Sequence, residues 1–363
     1  MPRFARCVFA VFLAVSFLSS SLTCQAAAPE TAAAAFILME AGSGRVLASR
    51  NETQERSIAS TTKIMTCLVA LEHSELTEQV TVKREHLCEG SSMYLLEGET
   101  LTMEELLYGL MLPSGNDAAE CIAAHCGGMN EKTKALGMEH TSFANPSGLD
   151  EAGHGSCALD MARLAVYAMQ NPTFARIVST RTASVGTRTM TNHNKLLASY
   201  SGCVGLKTGY TGDAGRTLVT CAERGGMRMI AVTLHDGSDW ADHAALYDYG
   251  FSAYALSSGA KKGEAYGSVS VDGQSVSAVA AESFRYPTAE NEALSVRAEL
   301  PQTVSAPVRK GQTFGTLVIF CGENEVGRVD LVSARSVQVQ EPKSETSKNK
   351  SLAEKLWQFL SAK

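Results

Sequence analysis

Residues 57–72 read SIASTTKIMTCLVALE, a mostly apolar helix that carries a single lysine. That lysine is Lys63. Ser60 lies three residues earlier, one helical turn away and on the same face. It also sits near the helix start, where unpaired N–H groups favour developing negative charge. A serine hydroxyl is a poor nucleophile until a base takes its proton. Lys63 can be that base only when neutral, which requires desolvated or positively charged surroundings. The tetrapeptide S-x-x-K alone is a common chance match, so its weight depends on what else the chain provides.

Two further short motifs follow. Ser114-Gly115-Asn116, after Pro113, lies in a turn between a helix expected over 101–112 and another over 117–125. A hydroxyl there can relay a proton, and an asparagine amide can both donate to and accept from a peptide group. Lys207-Thr208-Gly209 ends a strand expected over 203–209. A cation beside a hydroxyl suits a carboxylate, and glycine lets another backbone approach. An extended peptide can add to such a strand by main-chain hydrogen bonds. Each motif alone reads as an ordinary turn or strand end, whereas the ordered set reads as one site.

The rest of the chain frames that set. Apolar residues at 45% and charged residues at 19% over 363 positions describe a globular protein of one large domain plus a smaller one. A net charge of −6 gives no reason to expect nucleic acid as a partner. Arg3 and Arg6, the apolar run CVFAVFLAVSFL and small residues up to Ala28 read as a secretory leader over 1–28, too short to span a membrane. Of ten cysteines, Cys7 and Cys24 belong to that leader. The others show no C-x-x-C and no zinc spacing, and several sit in apolar stretches, so mostly free thiols are expected.

A hairpin is expected from 35–40 and 45–50, a helix over 159–169, strands over 216–222 and 227–234, and a helix over 240–254. Lys261-Lys262-Gly263 reads as a linker. Residues 265–340 are short Val-rich strands with turns, a small all-β domain. A polar linker and a helix with Leu352, Leu356, Trp357, Phe359 and Leu360 on one face fill 341–363; such a helix either lies in a membrane interface or docks on its own domain. His235, Asp236, Asp239, Asp242 and His243 read as a polar loop entering a helix rather than a metal cluster. His193 either lines a cleft or has a structural role.

Taken together, the motifs match those of β-lactamases and penicillin-binding proteins. Over residues 34–254 the chain resembles the low-molecular-weight penicillin-binding D-alanyl-D-alanine carboxypeptidases, serine peptidase family S11. The resemblance is carried by ILMEAGSGRVLASRN, the Ser60 helix, LMLPSGNDAAE, ANPSGLDEAGHGSCALDMARLA and GLKTGYTGDAGRTLVTCAERGGMRMIAV. It implies an α/β (α+β) transpeptidase-like domain over 29–260, with an antiparallel sheet and helices, then the small β domain.

By the same resemblance, Ser60 is acylated and Lys63 is its base, and Ser114 relays a proton. Asn116 holds the substrate peptide, and Lys207 and Thr208 hold its carboxylate beside Gly209. The backbone N–H groups of Ser60 and Tyr210 form an oxyanion hole. The implied partners are peptidoglycan stem peptides and, as inhibitors, β-lactams; no cofactor or metal is implied. The implied location is the outer face of the cytoplasmic membrane. Two departures stand out. Cys126-Gly127-Gly128 shortens a segment that is usually longer. Asp242-His243 falls where many relatives carry an arginine, leaving His243 or Lys207 alone to grip the carboxylate. The alternatives are a β-lactamase, for which no E-x-x-L-N match is found between the second and third motifs, and a non-catalytic wall-binding protein.

Overall fold

The computed structural model describes residues 28–339 together with 357, 360 and 361. Apart from those positions, the leader expected over 1–28 and the linker and helix expected over 341–363 lie outside the described residues.

The main sheet has five strands in the order Val46–Arg50, Ala35–Glu40, Met227–Leu234, Gly215–Arg224, Cys203–Thr211, every neighbour antiparallel. The strand Ala35–Glu40 is buried along its whole length because both faces of the sheet are covered. Successive side chains alternate between faces. Ala35, Ile37 and Met39 join one core with the helices Lys63–His73, Met103–Met111, Asn116–Cys126 and Ala158–Ala168. Phe36 and Leu38 join a second core with Leu246 and Tyr247 of the helix Asp239–Ala253. The result is a helix–sheet–helix sandwich whose middle layer ends, on one edge, at the strand Cys203–Thr211 that carries Lys207.

The apolar segment is helical only from Lys63. Before it, Ala59–Thr62 forms one tight turn of 3₁₀ helix. The cause is local: the hydroxyls of Thr61 and Thr62 donate to the carbonyls of Ile58 and Ala59 three residues back, at 2.6 and 2.8 Å. Ser60 therefore projects from a turn, while the first eight residues of the helix, Lys63 included, are buried.

The shortened segment is a two-glycine link. Gly127 and Gly128 take φ of 63° and 84°, which lets the helix Asn116–Cys126 turn directly into Met129–Ala135, an element not anticipated from sequence. The helix Pro172–Ser179 and the hairpin of Thr182–Val185 with Arg188–Thr191 were likewise not anticipated.

Between Tyr254 and Val339 the described residues form strands and turns, in keeping with the small all-β part expected. The β part starts earlier than position 265, however: Tyr254–Ala260 pairs with Phe284–Ala289. Lys261-Lys262-Gly263 is a turn of that part rather than a linker, since Ala260 is buried and the Gly263 N–H donates to the Ala280 carbonyl. A six-stranded sheet then wraps a separate core around Val271, Leu317 and Leu331.

Arg45, at the end of the first hairpin turn, joins the two parts. Its guanidinium makes two bonds to Glu292 at 2.6 and 2.7 Å and one to the Pro287 carbonyl, and lies 5.1 and 5.2 Å from the ring centres of Tyr254 and Tyr286. The hydrogen bonds from Arg45 hold the Glu292 carboxyl below its ordinary pKa. A depressed carboxyl stabilises the fold above its unfolded pKa and loses that contribution as pH falls through the folded value. Arg45→Ala is therefore expected to destabilise the fold at pH 7 by about 1–3 kcal/mol, the loss of a charged hydrogen-bonded pair, and so to lower the thermal midpoint. The gap to wild type should close as the pH is taken below the carboxylate range; scanning calorimetry at several pH values checks this.

Candidate active site

Lys63 sits where three segments meet. Its Nζ donates to Ser60 Oγ at 3.0 Å, to Asn116 Oδ1 at 2.7 Å and to the Ser147 carbonyl at 2.6 Å. The side chain is fully buried. Burial, opposed by nearby Cys88, Glu120 and Asp117, brings its pKa down to about 7. Burial thus favours the neutral amine, with the lysine 3.0 Å from the serine oxygen.

The Ser60 turn is pinned from both sides by segments without side chains. Gly148, at φ +87°, approaches so closely that a Cβ there would collide with the Ala59 carbonyl. A Cβ on Gly209 would lie 3.0 Å from the Ser60 nitrogen and would collide with Thr217 Oγ1. Ala59 itself holds φ 46°, a costly value for a residue with a Cβ. Behind the turn, Thr62 Oγ1 pairs with His154 Nε2 at 2.8 Å, and Thr66 Oγ1 donates to the Pro146 carbonyl at 2.7 Å. These contacts tie the 145–154 loop to the turn and put the Ser147 carbonyl on Lys63.

Ser114 also takes a positive φ, 67°. Its hydroxyl is buried, lines the cleft, and has no hydrogen-bond partner among the described residues. Asn116 opens the next helix, and both ends of its amide are engaged: Oδ1 by Lys63 and Nδ2 by the Glu89 carbonyl at 2.7 Å. It is buried, and it ties the lysine to the 89–92 loop. Asp117 completes that loop's support by accepting from Ser92 Oγ, Met93 N and Leu95 N.

Thr208, Gly209 and Tyr210 line the same cleft, of about 580 Å³, as Ser60 and Ser114. Lys207 lies on the buried face of their strand, and its Nζ donates to the Thr208 carbonyl at 3.0 Å. Burial lowers its pKa well below the lysine range, and the charge of Lys63 lowers it further. The three motifs thus converge. His193 lines the cleft as well.

Of the two alternatives for gripping the carboxylate, His243 or Lys207 alone, the first is not supported, because His243 does not line the cleft. It is fully buried, with its two ring nitrogens on Thr220 and Thr233 at 2.6 and 3.1 Å, and burial takes its pKa down to about 3. Asp242 accepts from the Ala32 N–H. The groups missed from sequence are Ser147, Arg216, Asp239 and Trp240. The first acts through its carbonyl, which no residue pattern reveals. The others come from a strand and a helix that only the fold brings to the cleft.

A family model described as D-alanyl-D-alanine carboxypeptidase matches residues 22–238, and one described as penicillin-binding protein 5, C-terminal domain, matches residues 254–339. The D-alanyl-D-alanine carboxypeptidase DacF of Bacillus subtilis is 33% identical over 312 residues, covering 78% of this chain and 80% of that protein. DacC of Escherichia coli is 31% identical, with 86% of each covered. Among solved structures, penicillin-binding protein 5 of Haemophilus influenzae superposes with a TM-score of 0.74 at 26% identity, covering 86% of this chain and 99% of that one. A mutant of the Streptomyces K15 DD-transpeptidase gives 0.60 at 33% identity, covering 62% and 99%.

The close approach at Gly148 has a measurable consequence. Gly148→Ala should melt well below both wild type and Gly153→Ala. Gly153 shares the positive φ, at +79°, but a Cβ there meets nothing within 4 Å. Gly153→Ala should cost only the backbone term, about 1 kcal/mol. Thermal melts of the two variants side by side separate conformational strain from collision.

Proposed function

The chain belongs to the D-alanyl-D-alanine carboxypeptidase family, serine peptidase family S11, and from that membership we propose that it removes the terminal D-alanine of peptidoglycan stem pentapeptides through an acyl-enzyme on Ser60. The observation that carries the reading is the 3.0 Å contact between Ser60 Oγ and a buried Lys63 whose pKa lies near 7.

The chemistry runs in two halves. Ser60 Oγ attacks the carbonyl between the two D-alanines while its proton passes to neutral Lys63. The C–N bond breaks, an ester forms on Ser60, and the proton travels through the Ser114 hydroxyl to the departing amine. The unpartnered Ser114 oxygen supports this relay. Water then attacks the ester, giving a new carboxylate and returning a proton to Ser60. The N–H groups of Ser60 and Tyr210 hold the oxyanion, each donor worth about 3 kcal/mol. Thr208 and Lys207 lie at the carboxylate end. A β-lactam enters by the same attack and stays as a slow ester. The leader pattern over 1–28 and the amphipathic pattern over 352–360 are the grounds for reading the enzyme as extracytoplasmic, in peripheral contact with the membrane.

Purified protein should release D-alanine from a pentapeptide and carry a penicilloyl adduct on Ser60, read by mass spectrometry. Ser60→Ala should lose both. Lys63→Ala should slow acylation by about 10³-fold. Because the base works neutral, the acylation rate should rise with pH and reach half its plateau near the lysine pKa of about 7. Rapid cephalosporin turnover without D-alanine release would assign the site to a β-lactamase instead.

A further inference from the structure

A peptide with a free C-terminus brings a full negative charge into the cleft, and the side chains that meet it can be read from the sheet. Thr208 and Tyr210 alternate with the buried Lys207 and the half-buried Gly209, so they share the opposite face of their strand. Arg216 pairs directly with Tyr210 across the antiparallel ladder and is the diagonal neighbour of Thr208, which pairs with Leu218. Cross-strand and diagonal partners lie on one face, within reach of a long side chain. Arg216 accordingly lines the cleft together with Ser60, Thr208 and Tyr210.

Its guanidinium is held rather than free. Nη2 donates to both oxygens of Asp239, at 2.8 and 2.7 Å, and the Trp240 ring lies 5.5 Å away. Asp239 is in turn fixed by the Trp240 N–H at 2.9 Å and is buried. This clamp uses one nitrogen. Among the described residues Nε and Nη1 have no partner, nor does the Thr208 hydroxyl, while the Arg216 side chain keeps 43% of its surface exposed. A clamped arginine with unused donors beside an unused hydroxyl, on the wall of a cleft, is a carboxylate receptor. Lys207 does not fill that role by itself, because it is buried with its amine on a backbone carbonyl. Lys195 also lines the cleft but comes from a different segment and has no clamp.

We propose that Arg216, positioned by Asp239 and Trp240, is the specificity-determining residue that contacts the substrate's terminal carboxylate together with Thr208, and so restricts the enzyme to peptides with a free C-terminus. This rests on the carboxypeptidase reading above. In that arrangement Asp239 is a positioning residue.

The test compares three substrates on wild type, Arg216→Gln and Arg216→Lys: an acyl-D-alanyl-D-alanine peptide, its C-terminal carboxamide, and an acyl-D-alanyl thioester with no carboxylate. Wild type should favour the free acid strongly over the carboxamide in kcat/KM. Arg216→Gln should lose about 100-fold on the free acid, as expected for a charged hydrogen bond, while its carboxamide and thioester rates hold. Its acid-to-amide ratio should fall towards one. Arg216→Lys should recover part of that ratio, since it keeps the charge without the planar fork. Thioester turnover reports folding, and if the glutamine variant fails it, the lysine variant carries the same comparison. An unchanged acid-to-amide ratio, or an equal loss on all three substrates, overturns the inference. Absence of D-alanine release by wild type would instead overturn the carboxypeptidase reading.

Discussion

Lys63 has to be buried to be a base and hydrogen-bonded to be buried, and three distant segments are arranged to meet both conditions. Its amine reaches Ser60 one turn away, Asn116 at the start of another helix, and the Ser147 carbonyl in a loop. Removing a charged amine from water is expensive unless its protons are taken up or it gives one away. Here both occur: three acceptors surround it, and burial shifts it towards neutrality. The apolar remainder of the helix Lys63–His73 is what makes the burial possible, since it anchors that helix between the sheet and the surrounding helices.

The same requirement accounts for the strained backbone. Positive φ at Ala59 and Ser114 costs of the order of 1–3 kcal/mol each and persists only where the surroundings dictate it. Ala59 is fixed by the approach of Gly148 and Gly209, and Ser114 by the helix that begins two residues later. In both cases the unusual backbone is adjacent to, or is, the group that presents a hydroxyl to the cleft. The cost is met by the cores on either side of the sheet.

How much of this could be read beforehand followed from the kind of signal. The apolar run that includes 63–73, the three strands ending with Met227–Leu234 and the helix near 239–253 have patterns long enough to survive their context; the first and third motifs lie on them, and the second lies between the helices Met103–Met111 and Asn116–Cys126. Short elements did not show: Pro172–Ser179, capped by Asn171, and the hairpin at 182–191 owe their shape to what they pack against. The helix expected from 57 begins only at Lys63 because two threonine hydroxyls tighten the preceding turn. Within the site, side chains on the motifs were legible, whereas a carbonyl contributed by Ser147 and a guanidinium contributed by a neighbouring strand were not. Asp239 looked like part of a polar loop because its partner, Arg216, lies 23 positions earlier in the chain.

The cysteines carry a consequence of another kind. All eight among the described residues are unpaired, and Cys67 and Cys221 are wholly enclosed, with burial holding their thiols far above the range in which they react. The enclosed sulfurs become chemically visible only when the sandwich opens, so the rate at which a thiol reagent marks Cys67, on the Lys63 helix, is a clock for how often the catalytic layer comes apart.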